Sequence, residues 1–247
     1  MELFFSKKTI PLILIILLVL VWSSVWSLFR VAMEVIPPLS FRVIIGLPAC
    51  VLLLLIGFKK VKTFKIHKND LKPLLLISLF NVTLWQVLML YGIGMLGGGR
   101  AAVLTYTMPV WATICAALSW AIGTMIVKFG GIKSDGLIVA GWQQLIGILP
   151  IIPFAFYFDL INPGTIELRH ILVILFGIFL SSAYTYWAYF TVLQKFSVNI
   201  TSVSVMAVPI LAVLIDYIII DIEFSIFDLL ALIFIVTGIF VAAKKPF

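Results

Sequence analysis

Most of this chain is apolar, so the residues able to do chemistry stand out as polar positions inside apolar runs. Burying such a group costs free energy unless it pairs or meets water, and an ionisable group at membrane depth marks a site. Arg42 and Asp216 are the ionisable cases. Arg42, near the end of an apolar run, either snorkels to lipid headgroups or draws an anionic group toward a cavity mouth. Asp216, beyond Pro209, either reaches an interface or serves as a proton-coupling group. The neutral binding candidates are Trp22 and Ser23; Asn81 and Gln86; Tyr106; Gln143, beside Gln144; and Tyr184 and Tyr186 in SSAYTYWAYF (181–190). Rings near helix ends anchor at interfaces, whereas rings mixed with amides and hydroxyls in mid-run line a cavity that stacks on and hydrogen-bonds an amphipathic or aromatic solute. Helix-to-helix hydrogen bonding is the competing role for the same amides. Pro109 and Pro209 each remove a backbone donor and disfavour a straight helix, which suits paired gating kinks.

Enzymatic and metal chemistry find little to work with. His67 and His170 are far apart in sequence, no Ser/His/Asp grouping or phosphate-cradling glycine loop stands out, and Gly97–Gly99 reads as a turn before a helix. Cys50 and Cys115 both sit in apolar runs and read as structural thiols. No catalytic residue, metal or cofactor is expected.

The elements that must position these residues are membrane spans. Of 247 residues, 64% are hydrophobic and 11% charged, far from the roughly 25% charged residues of soluble domains. Apolar runs long enough to cross the bilayer recur at 10–29, 38–57, 73–94, 100–128, 137–157, 170–192, 198–219 and 226–243. They do not alternate as barrel strands would. The net charge of +7 comes from basic residues in short segments between the runs, so it reports topology and not nucleic-acid binding. Counting 13 Lys against 3 Arg on the two sides places both termini in the cytoplasm. The basic stretch 58–72 reads as a topology anchor, with lipid or partner binding as its alternative. Lys7 and Lys8 precede an uncleaved first span, since no small-residue cleavage site follows.

Shifting the chain by about 100 residues reveals an internal repeat. Pro109 falls on Pro209, AAVLTYTMPVWATI on TSVSVMAVPILAVL, VWSSVWSLFR on SWAIGTMIVK, and FRVIIG on WQQLIG, which sets Arg42 opposite Gln143. Successive copies begin with spans of opposite sense, the inverted construction common in secondary transporters.

At the W-S-S segment ending in Arg30, the Phe41-Arg42 opening of span two, and the small-residue runs into Pro109 and Pro209 followed by Asp221-Ile222-Glu223, the chain resembles the EamA-type branch of the drug/metabolite transporter superfamily. The resemblance implies ten helices in two inverted five-helix repeats that export or exchange metabolites. Here WATIC runs almost directly into AALSWAIG. The end of helix four, helix five and the start of helix six are therefore absent, roughly fifty residues by comparison with the family. The expectation is an all-α integral membrane protein of eight transmembrane helices in two inverted repeats, 1–115 and 116–247, with a fused helix at about 100–128. Its expected work is secondary transport of a small metabolite or amphipathic solute by alternating access. A non-transporting remnant of a shortened carrier is the alternative, and an intramembrane lipid-modifying enzyme a third reading. Expected partners are a small-molecule solute and the lipid bilayer, with a homodimer as an option and no nucleic acid, in a bacterial inner membrane.

Overall fold

The structure, a computed structural model, describes residues 9–95, 103–159, 165–195, 204–205 and 207–219, with single positions at 226, 233, 236 and 237. Apart from those single positions, the expected eighth span, 226–243, lies outside the described residues, as do Gly97–Gly99 and the side chains of Tyr106, Pro109, Pro209 and Asp216. All regular structure that is described is helical: α1 (Thr9–Ala32), α2 (Pro38–Val61), α3 (Leu71–Ser78), α4 (Trp85–Met95), α5 (Val103–Phe129), α6 (Gly136–Ile148), α7 (Ile151–Phe158), α8 (Leu168–Phe176), α9 (Thr185–Lys195) and α10 (Val208–Ile219). Among the described residues, five stretches are long and apolar enough to cross a membrane: Leu12–Ala32, Pro38–Val61, Lys68–Tyr91, Gly136–Phe158 and Leu168–Leu193. The 27 residues of α5 form one uninterrupted helix, about 40 Å long.

Local chemistry sets the helix ends. Pro38 opens α2, where a missing N–H costs nothing, and Lys62 closes it in the left-handed region at φ 58°, its N–H donating to the Phe58 carbonyl. The Ser40 N–H, in the first turn of α2, donates to Asp159 Oδ2 at 2.6 Å, which puts a carboxylate at the positive end of that helix. Asp135 caps α6 by accepting from the Leu137 N–H and also takes Lys60 Nζ at 2.6 Å. At the start of α8, the Glu167 carboxylate accepts from the His170 N–H while the Glu167 N–H donates to His170 Nδ1.

Three spans are not the plain helices that their apolar runs predict. Leu79–Leu84, between α3 and α4, and Gly177–Tyr184, between α8 and α9, are π-helical turns, and Leu149–Pro150 breaks the fifth span into α6 and α7. Pro150 accounts for the last, because it cannot donate within a continuing helix.

The chain forms two compact units, Phe29–Ala183 and Met1–Leu28 with Tyr184–Phe247. In the first, α2 packs on α6, α3 on both α5 and α6, and α4 on α5. The α2–α6 pair is antiparallel, since Gly46 lies against Ile148 and Gly57 against Ile138. A Cβ on Gly57 would come within 2.6 Å of Ile138 Cδ1, so these glycines allow the close backbone approach that helices use in lipid. In the second unit, Ile15, Val19, Val192 and Val208 form a core with Leu14, Trp22, Val205 and Leu211 around it.

Candidate functional site

The site in the Phe29–Ala183 unit is built around Arg42. The sequence places it one turn into α2, and the antiparallel packing on α6 turns it inward. It is the largest fully buried side chain among the described residues, 0% exposed, so snorkelling does not describe it. Its Nη1 donates to Ser182 Oγ at 3.2 Å and its Nη2 donates to Gln144 Oε1. Gln144 returns a long bond from Nε2 to the Ser182 carbonyl at 3.5 Å, and it too is 0% exposed. Both acceptors are neutral and polarised toward a fixed cation, so the cluster is able to exchange one of them for a solute carboxylate or phosphate oxygen.

Gln143 faces elsewhere. Its Nε2 donates to the Ile77 carbonyl at 3.4 Å, two residues ahead of the first π turn. Thr83, inside that turn, donates to the Gly147 carbonyl of α6 at 2.7 Å, while Val82 packs on Gly147. Asn81 is buried in the same turn, against Gly123 of α5. Gln86 is buried one turn further on, and Trp85 meets the Trp120 ring with centroids 5.4 Å apart.

Trp22, Ser23, Tyr184 and Tyr186 fall in the other unit. Ser23 is buried, but its hydroxyl donates to the Val19 carbonyl of its own helix at 2.7 Å. The half-buried Trp22 packs on Tyr189, ring centroids 5.1 Å apart. Tyr184 donates to the Leu14 carbonyl at 3.1 Å and Tyr186 is buried. The structure thus brings Arg42, Gln144 and Ser182 together, sets Gln143, Asn81 and Gln86 along α6, the first π turn and α4, and groups Trp22, Ser23, Tyr184 and Tyr186 in the second unit. Gln144 was readable with Gln143 as a donor and acceptor, and Ser182 as part of the polar run 181–190; nothing in their spacing singles them out as the partners of Arg42.

Two stretches of the chain, 9–118 and 110–243, each match the EamA-like transporter family. The chain belongs to that family. As an EamA protein it carries Arg42 in its first matched stretch and Gln143, Gln144 and Ser182 in its second. The two matches share residues 110–118, inside α5. The uncharacterized transporter YoaV of Bacillus subtilis (strain 168) is 24% identical over 277 aligned positions, which take in 92% of this chain and 94% of that protein. An alignment of 277 positions covering only 92% of 247 residues leaves on the order of fifty positions filled by YoaV alone. The uncharacterized transporter YvbV of the same organism is 29% identical over 114 residues, 46% of this chain and 36% of that protein. No solved structure matches the chain. This EamA protein is therefore a helical membrane transporter by family, with a buried arginine at the contact between α2, α6 and the second π turn.

Proposed function

We propose that this chain is a secondary transporter that moves a small anionic or amphipathic metabolite by alternating access, with the Arg42, Gln144 and Ser182 cluster as its solute-attracting centre. The observation that carries the reading is the fully buried guanidinium, which donates to Ser182 Oγ and to Gln144 Oε1 inside the helix bundle. The buried charge is costly to keep. Sites retained at such a cost in membranes are substrate or ion pathways.

Eight spans in two inverted repeats, 1–115 and 116–247, with both termini on the cytoplasmic face of a bacterial inner membrane, complete the proposal. The antiparallel α2–α6 pair supports inversion, because FRVIIG of α2 and WQQLIG of α6 are the segments that the repeat aligns. The π turns support it too, recurring at an offset of about 100 residues, as the sequence copies do. The overlap of the family matches within α5, and the surplus of on the order of fifty positions in YoaV, support a fused junction helix. The same shortening favours a second reading, a membrane remnant that no longer transports.

Reconstituted vesicles loaded with a panel of carboxylates, phosphates and neutral analogues separate the readings. Transport predicts solute-dependent counterflow that Arg42→Gln reduces by tenfold or more for anionic solutes, consistent with the loss of a charge-assisted bond worth about 1.5–3 kcal/mol. Counterflow absent for every solute supports the remnant, and equal activity in Arg42→Gln and Arg42→Lys removes Arg42 from the site.

A further inference from the structure

The first turn of α3 and the last turn of α5 border a groove of about 400 Å³ on the flank of the Phe29–Ala183 unit. Its walls are Pro73 and Leu76 from α3 and Met125, Ile126 and Phe129 from α5, and its one charged lining residue is Lys72. The surface around it is built to face hydrocarbon. Met125 is 53% and Phe129 69% exposed, and Leu75 on α3, Leu79 at the start of the first π turn and Leu118 on α5 are further exposed apolar side chains. A water-soluble anion has nothing to gain from these walls, whereas an acyl chain does.

At the mouth of the groove the charge is one-sided. Lys68, Lys72 and Lys133 are exposed, and Lys128 stands in the last turn of α5. The two acids of the neighbouring loops are engaged. Asp70 is buried, its Oδ2 accepting from the N–H groups of Lys133 at 3.1 Å and Ser134 at 2.7 Å and from Ser134 Oγ at 2.6 Å. Asp135 is held by Lys60 Nζ and by the Leu137 N–H. These bonds tie loop 131–135 to the 3-10 turn Lys68–Asp70, which brings the backbone of Lys133 to the segment that carries Lys68 and Lys72, with the carboxylates of both described loops engaged.

We propose that this groove binds one anionic phospholipid, its phosphate at Lys72 and the adjoining lysines and an acyl chain laid along Leu76, Met125 and Ile126. The apolar wall selects a lipid over a free anion, and the lysines select an anionic headgroup over a zwitterionic one. The proposal needs the membrane setting but no transport activity, so it stands or falls apart from the function proposed above.

Native mass spectrometry of the full chain released from mixed micelles reads this directly, with dioleoyl phosphatidylglycerol and dioleoyl phosphatidylcholine as competing probes. One phosphatidylglycerol retained in preference to phosphatidylcholine is expected. Lys72→Gln should weaken that retention about fivefold, the share of one lysine beside an anionic headgroup. Lys59→Gln, an exposed lysine outside the groove, should leave it unchanged. Leu76→Trp should displace the lipid by filling the groove, with Met125→Trp, at an already exposed position, read in its place if the first variant folds poorly. Equal retention of the two lipids overturns the proposal. So does an equal loss from Lys59→Gln and Lys72→Gln, or displacement of the lipid by millimolar inorganic phosphate alone.

Discussion

The contact between Arg42 and Gln144 can be weighed by a double-mutant cycle of Arg42→Met and Gln144→Leu. Both replacements keep volume in a region where each parent side chain is 0% exposed, so cavity terms largely cancel across the cycle. A hydrogen bond to a charged group contributes about 1.5–3 kcal/mol. Neutral interhelical bonds in membrane proteins average about 0.6 kcal/mol. Because Nη2 donates to Gln144 Oε1 with no water in competition, the coupling should be about 2 kcal/mol, close to a thirtyfold change in the unfolding equilibrium. The single losses should be unequal. Gln144→Leu leaves a buried cation short of an acceptor, whereas Arg42→Met removes the charge itself, so Gln144→Leu should destabilise more. The longer 3.2 Å bond to Ser182 predicts a smaller coupling for Arg42→Met with Ser182→Ala. Unfolding of the full chain in mixed micelles, followed by far-UV circular dichroism, measures all four corners. A coupling at or below about 0.6 kcal/mol, the level of an ordinary neutral contact, would refute the reasoning.

Thr83→Val removes the donor to the Gly147 carbonyl and should cost about 0.6–1.7 kcal/mol in the same unfolding assay, with Thr83→Ser restoring most of it; no difference between Val and Ser would mean that the hydroxyl does not hold the first π turn against α6. A cytoplasm-active reporter fused after Phe247 should mature, because the 13 to 3 lysine and arginine bias then stays inside. Maturation of only a periplasm-active reporter would reverse the proposed topology.

Five of the expected spans were legible in the sequence because their lengths follow from bilayer thickness, and the ends of α2 in particular are marked by Pro37, Pro38, Lys59 and Lys60. Arg42 and the Gln143-Gln144 pair were legible as candidates because polarity in an apolar run is conspicuous. Which glutamine meets Arg42 was not. Adjacent helical residues point about 100° apart, and the rotation of α6 is fixed by how closely Gly46 and Gly57 let it approach α2, a tertiary distance with no composition signature. The π turns were hidden for a related reason. LFNVTL and GIFLSSAY have ordinary helical composition, and the extra residue in the turn is accommodated by contacts such as Thr83 to the Gly147 carbonyl that come from another span. The Asp159 carboxylate under Ser40 is 119 residues away in sequence, so pairing it with the start of α2 required the fold.

The two central helices exchange partners. From α2, Arg42 reaches the second π turn at Ser182; from α6, Gln143 reaches the carbonyl of Ile77 just ahead of the first π turn, and the Gly147 carbonyl accepts from Thr83 within it. On the proposed repeat, each aligned helix thus holds the π turn of the other copy. π turns carry strained, wider hydrogen bonding and occur often at functional sites. On the proposed reading this gives a bound anion a way to bias the structure. A carboxylate is a stronger acceptor for a guanidinium than a serine hydroxyl. Its arrival should therefore replace the 3.2 Å bond to the Ser182 hydroxyl before the bond to Gln144, whose amide oxygen is the stronger acceptor. Loss of the Ser182 bond removes one polar tie between α2 and the second π turn, where Gly177 still packs on Ile45, while Thr83 keeps the first on α6. A solute can shift a conformational equilibrium only by binding its states unequally. Arg42 supplies that inequality, because its serine acceptor belongs to one π turn and not to the other.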